Sequence, residues 1–277
     1  MTWTGATGAG TPSVGEQIEI AGDDDDASSV MGAYLARPAA PGIYPGVIVA
    51  HELFGVTAEI RGITDRIAEL GYIAVAPELY HRAAARGTEL TKDDDGRATG
   101  FALLGRLTRA QAVQDVGATM RYLSSRPDAT GQTGMVGFSL GGHIAYLAAT
   151  QLDLAATAVL YGGWISSPDI PLGRPEPTIT LTPGIADHGG RLLFVVGDED
   201  QLIGAEQRRE LKDALTAAHV RHELVVYPDT PHAFFWEGTD TFRRAARDDA
   251  WRRVQDLLAA ELAPSVRSLL PGHAGVV

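Results

Sequence analysis

The chain has no cysteine among its 277 residues. Disulfides, thiolate metal sites and a cysteine nucleophile are therefore all excluded. Basic residues are also few: 23 Lys and Arg face 35 Asp and Glu, giving a formal charge of −12. An acidic body repels nucleic acid and anionic membrane surfaces, so neither is expected as a partner. The charge does not by itself indicate a basic substrate, since it also serves solubility. No run approaches the ~20 apolar residues that span a bilayer. The opening MTWTGATGAGTPSVGEQ has neither the basic nor the apolar region of a secretory signal. A soluble cytoplasmic protein is the expectation, without the redox evidence that cysteines would have supplied.

What is present suits one globular core. Hydrophobic residues make up 45% and charged residues 21%, ordinary values for a domain that needs no covalent staples. There is no internal repeat and no convincing linker. The Gly-, Thr- and Ala-rich residues 1–12 are expected to be flexible, 13–262 to form the domain, and 263–277 to be a tail. The acidic runs Asp23 to Asp26 and Asp93 to Asp95 lack the spaced ligands and closing Glu of a calcium loop, so both read as solvated turns.

From residue 46 strands alternate with helices. GVIVAH (46–51) is a buried strand, and Ile60, Ile63, Ile67 and Leu70 mark a helix over 57–70 that Gly71 closes. Strands follow at 72–77, 134–138, 156–163, 191–200 and 222–228, with helices at 109–125, 141–150, 205–219 and 241–262. Before them, QIEIA and VMGAYLARP form two further strands. This order predicts an α/β fold with a mostly parallel central sheet and helices on both faces. Segments 78–107 and 165–190 are too long for plain connections and leave the carboxyl ends of strands, where such sheets bind ligands. They are expected to wall a pocket.

GFSLGG (137–142) lies between a buried strand and a helix, the setting that a G-x-S-x-G nucleophile turn requires. Serine is a poor nucleophile at neutral pH and needs a base, which in turn needs an orienting acid. Strand 191–197 runs into Asp198, Glu199 and Asp200, and strand 222–228 runs toward His232. The order Ser139, Asp200, His232 is that of a hydrolytic triad, with Asp200 preferred to Asp198 by its spacing from Gly197. His219 and His222 lack a third ligand, so no metal is expected; His143 and His188 read as structural or surface residues.

Five segments together, HELFGV (51–56), PELYHR (77–82), GFSLGG, GDEDQLI (197–203) and PHAFF (231–235), resemble the dienelactone hydrolase family of α/β-hydrolases over roughly residues 16–262. The resemblance implies a triad of Ser139, Asp200 and His232, with the backbone N–H groups of Leu140 and Leu53 as oxyanion donors. It also sets Glu52 beside the nucleophile and Arg82 on the substrate's carboxylate. Two departures stand out. The family enzyme itself uses cysteine where this chain has Ser139, and a carboxylate cannot strip an alcohol as it can a thiol near pKa 8.5. The family's second substrate arginine falls at Trp236, which replaces an anion anchor with an aromatic surface. The expected activity is cofactor-free hydrolysis of a small-molecule carboxylic ester or lactone. The competing expectations are a peptidase or amide hydrolase of the same fold, and a binding protein without catalysis.

Overall fold

The computed structural model describes residues 11–22 and 30–262. The acidic turn at Asp23 to Asp26, residues 1–10 and the tail 263–277 lie outside the described residues. Thr11 and Pro12 already belong to the folded body: the Thr11 N–H donates to the Glu69 carbonyl at 3.3 Å, and the Pro12 carbonyl accepts from Ala39 at 2.7 Å.

Eight strands form one sheet: β1 (Ser13–Ile20), β2 (Met31–Pro38), β3 (Tyr44–Ala50), β4 (Ile73–Pro77), β5 (Ala129–Phe138), β6 (Ala156–Leu160), β7 (Arg191–Gly197) and β8 (Arg221–Tyr227). Their spatial order is β1-β2-β4-β3-β5-β6-β7-β8. The first two strands pair antiparallel with their neighbours, and all pairs from β4 to β8 are parallel. The central strands are buried along nearly their whole length, as continuous apolar runs require when both faces are covered. Edge strand β1 keeps Glu16 and Glu19 exposed, which discourages pairing with a further strand.

The helices are α1 (Ala58–Glu69), α2 (Asp94–Leu104), α3 (Arg109–Ser125), α4 (Leu140–Ala149), α5 (Pro183–Asp187), α6 (Ala205–Ala217) and α7 (Arg244–Glu261). Two glycines show how both faces are covered. Gly46 stands opposite Thr133 and Val47 opposite Gly134, so Gly46 and Gly134 face opposite sides of the sheet. A Cβ on Gly46 would strike Leu123 of α3 at 2.9 Å, and one on Gly134 would strike Leu262 after α7 at 2.8 Å. The two helices therefore sit close to the sheet on opposite faces.

The long segments carry structure that periodicity did not reveal. Segment 78–107 contains α2, whose interior includes Gly96 and Gly100 and so has weak helical preference. The Asp93 to Asp95 run, expected to be a solvated turn, instead starts this helix. The Asp93 carboxylate accepts the Gly96 N–H at 2.8 Å, an N-cap, and Asp94 and Asp95 lie in the first turn, where negative charge is favourable. Segment 165–190 holds two short 3-10 turns and α5. It covers α4, every residue of which is buried. A helix with so little polar surface on any side needs such a cover.

Candidate active site

The strand exits at one edge of the sheet bring three side chains together. Ser139 leaves β5 with φ 52° and ψ −113°, a strained conformation for a residue with a Cβ. Its neighbours explain how the turn is made. A Cβ on Gly137 would lie 2.0 Å from the Gly141 carbonyl oxygen, and one on Gly141 would lie 2.2 Å from that of Ala50. Only glycine permits either approach. The turn throws the serine hydroxyl clear of the sheet and starts α4 at the next residue.

Ser139 Oγ stands 2.9 Å from His232 Nε2, and His232 Nδ1 stands 2.8 Å from Asp200 Oδ2. The other Asp200 oxygen accepts the Leu202 N–H at 2.9 Å, so the carboxylate is held from two directions. A carboxylate partner makes Nδ1 the protonated nitrogen and leaves Nε2 as an acceptor toward the serine. Asp200 is 3% exposed while Ser139 and His232 are each 9% exposed, which seals the acid and leaves the hydroxyl and imidazole edge within reach. Asp198 serves the turn instead, accepting the Thr230 N–H at 3.3 Å. The Tyr161 ring packs edge-on against His232, with centroids 5.1 Å apart.

Leu140 opens α4, where a backbone N–H has no acceptor within the helix. Leu53 lies in the segment after β3, and the β4 excursion fixes that segment closely. The Tyr80 hydroxyl donates to the Leu53 carbonyl at 3.2 Å, and Leu90 N–H donates to the Phe54 carbonyl at 3.0 Å. Gly100 of α2 packs so tightly on Leu53 that a Cβ there would meet its Cγ at 2.6 Å.

Glu52 is buried beside these groups, with the Tyr161 hydroxyl 3.5 Å from its Oε1. Burial pushes its carboxyl up from the ordinary carboxylate range, against smaller opposing effects of Lys92, Trp236 and His232. Burial also raises the Tyr161 phenol far above its usual range, reinforced by Glu52. Trp236 is packed against Phe138 and Phe235, with centroids at 5.0 and 5.2 Å. Its indole nitrogen reaches no hydrogen-bond partner at good geometry, yet it lies near enough to Glu52 to ease that group's ionisation. Lys92 stands over the Trp236 ring at 5.2 Å and pairs with Glu59 at 3.1 Å.

Arg82 has a different partner from the one the resemblance implies. Both arms of its guanidinium are taken by Asp115 of α3, at 2.8 Å each. His81 Nε2 also lies 3.3 Å from that carboxylate. A fork already filled by a buried acid must break that pair before it can hold a substrate carboxylate. Asp115 carried no pattern that would have marked it in the sequence, and neither did Tyr161 or Lys92.

Three other histidines, His143, His188 and His222, have structural attachments. His143 is fully buried between the Gly163 carbonyl and the Thr178 hydroxyl, each at 2.8 Å, tying α4 to its cover. His188 meets Asp153 at 2.6 Å, and His222 Nδ1 meets the Val220 carbonyl at 2.8 Å. Among the described residues no group of three or more His, Cys, Asp or Glu could hold a metal ion, and no helix is long and apolar enough to cross a membrane.

The model of the dienelactone hydrolase family matches residues 31–262. A Synechocystis protein named "Putative carboxymethylenebutenolidase" is 37% identical over 84% of this chain and 92% of its own length. A Salmonella typhimurium protein of the same name is 32% identical over 92% of this chain and 88% of its own. The crystal structure of a "Putative Dienelactone Hydrolase" from Klebsiella pneumoniae superposes with a TM-score of 0.76 at 28% identity, covering 89% of this chain and 98% of that one. With a match that runs from β2 to the end of α7, the chain belongs to the dienelactone hydrolase family and is a hydrolase of the α/β-hydrolase superfamily.

Proposed function

We propose that this hydrolase cleaves a carboxylic ester or lactone of a small molecule through an acyl-enzyme on Ser139. The observation that carries the reading is the unbroken chain of contacts from Ser139 Oγ through His232 to Asp200. His232 Nε2 takes the hydroxyl proton as Oγ attacks the carbonyl carbon. Asp200 keeps the imidazole in the required tautomer and stabilises the cation that forms. The N–H groups of Leu140 and Leu53 receive the negative charge on the tetrahedral oxygen, aided by the positive end of α4. The imidazolium then protonates the departing alcohol. Water gives its proton to His232 as it attacks the acyl carbon, and the imidazolium returns that proton to Ser139 Oγ as the acid leaves, so the cycle closes without a cofactor. For a lactone the departing alcohol stays tethered to the acyl group.

Glu52 takes a different part from that of a base acting on a thiol. Its raised pKa, set chiefly by burial, favours the neutral acid. Every fraction of it that stays protonated spares the oxyanion a repulsive charge. The names of the Synechocystis and Salmonella relatives agree with an ester or lactone as substrate. The test is hydrolysis of a panel of lactones and aryl esters, each ester paired with its matched amide, by wild type and Ser139→Ala. Ester or lactone turnover should exceed amide turnover and vanish with the serine. Full activity in the variant would remove the assignment.

A further inference from the structure

We propose that Phe101 and Trp164 form an aromatic clamp across the mouth of the site, receiving an aryl or similarly planar apolar portion of the ester. The proposal rests on the ester-hydrolase reading above and narrows its substrate class. Phe101 belongs to α2, in the excursion that follows β4, and Trp164 belongs to the segment that follows β6. In the sheet these two strands are separated by β3 and β5. Three strand spacings amount to ~14 Å. A contact between the two excursions therefore bridges the exits of β3 and β5, the strands that deliver Leu53 and Ser139.

Contacts on each side fix where the bridge lies. Gly100, next to Phe101, packs on the Leu53 carbonyl and side chain. On the other side, a Cβ on Gly163 would touch Leu202, whose N–H holds Asp200. Tyr161, three residues before Trp164, packs on His232. Each ring thus stands one to three residues from a residue that packs on a group the proposed reaction uses, Leu53 on one side and His232 on the other. The two rings meet edge to face, with centroids 6.3 Å apart and planes at 87°.

Two further features mark this pair. Phe101 is 45% exposed, an apolar surface that water covers at a cost and a ligand could cover instead. Trp164 is held at φ 59°, in the left-handed region that bulky residues avoid. Such strain persists only where the surroundings enforce it. Five other non-glycine residues among those described share positive φ: Ser139, Tyr161 and Ala233 lie at the strand exits of the site, whereas His219 and Asp229 lie in turns. An edge-to-face pair with one exposed ring offers both a face and an edge to a third ring, the geometry that aromatic groups prefer.

The experiment compares 2-naphthyl acetate, methyl 2-naphthoate and methyl acetate with the full chain and its Phe101→Ala and Trp164→Ala variants. Taking the variant-to-wild-type ratio for each ester cancels intrinsic reactivity. At least one naphthyl ester should lose about tenfold in kcat/KM, mainly through KM, with methyl acetate changed less than twofold. The naphthyl ester that suffers identifies whether the ring sits on the alcohol or the acyl side. Phe101→Leu, which keeps apolar bulk without the ring, should fall between. Equal losses on all three esters would reduce the pair to a structural contact and overturn the proposal, as would no loss. Should Ser139→Ala retain wild-type rates, the catalytic reading itself has failed. The clamp is then judged by calorimetric binding of 2-naphthol and 2-naphthoate, which Phe101→Ala should weaken about tenfold for one of them if the clamp exists and leave unchanged if it does not.

Discussion

On one side of the site, Ser139, Asp200 and His232 leave β5, β7 and β8 within a few residues of the strand ends. On the other, the chain spends residues 78–107 between β4 and α3, a stretch that carries α2, Arg82, Lys92 and Phe101. The first side is fixed by short turns that strand pairing already places. The second is held by side-chain ties such as Arg82 with Asp115 and Gly100 against Leu53. In the proposed reaction, the chemistry that tolerates little positional error sits on the short turns. The proposed clamp puts selectivity on the long excursion.

Substitutions can break this comparison. On the short-turn side, Ser139→Ala should lower kcat for the best ester by about 10,000-fold or more, and Asp200→Asn by about 1,000- to 10,000-fold. Steady-state rates measure both, and both variants should keep wild-type unfolding curves. A loss below tenfold in either would mean that the short turns do not carry the chemistry.

Stability in acid sharpens the same contrast. Burial lowers His51 and His143 from 6.5 to about 4. For each, the unfolded chain takes up a proton at higher pH than the fold does. The stabilisation is therefore complete above about pH 6.5 and is lost as pH falls toward 4, by on the order of 3 kcal/mol per histidine. Urea midpoints between pH 7 and 4.5 should fall steeply, and a flat profile would contradict the buried placement of both rings.

On the long-excursion side the expected effects are smaller. Arg82→Ala strands the buried Asp115 carboxylate and should cost about 2 kcal/mol of unfolding free energy. The ratio of activity on neutral and carboxylate-bearing esters should stay the same. A selective loss on the carboxylate ester would restore Arg82 as an anchor and blur the division between the two sides. In the segment after β3, outside that excursion, Glu52→Gln should be milder still. Because the folded pKa of Glu52 lies above its ordinary value, its ionisation opposes folding as pH rises beyond that ordinary range. The glutamine variant should match or exceed wild-type stability at pH 8, with activity within a few fold at pH 7. A large loss of rate would give the carboxyl a direct part in the reaction.

The same division governs what the sequence made legible. The α/β order, the parallel sheet and the helix over Arg109–Ser125 could be read because continuous apolar runs and helical spacing are local signals. Ser139, Asp200 and His232 could be singled out because each follows directly from a strand whose end was recognisable. The excursion gave no such signal. Its helix α2 contains two glycines, and its ties reach residues far along the chain, as Arg82 reaches Asp115 and Phe101 reaches Trp164. Two clues were nonetheless present. Asp93 followed by two further acids and Gly96 marks a helix start, and the charge-free, mostly apolar LGGHIAYLAA demanded a cover that segment 165–190 supplies. The partner of Arg82 had no local signature, because an ion pair between distant segments is set by tertiary packing alone.

The proposed reaction depends above all on the Ser139 hydroxyl being made nucleophilic by His232. Treating the protein with a fluorophosphonate and mapping the adduct by peptide mass spectrometry tests this directly. A single modification is expected on Ser139, forming rapidly in wild type and at least ~1,000-fold more slowly in His232→Ala. An unlabelled serine, an adduct elsewhere, or labelling that ignores the histidine would contradict it.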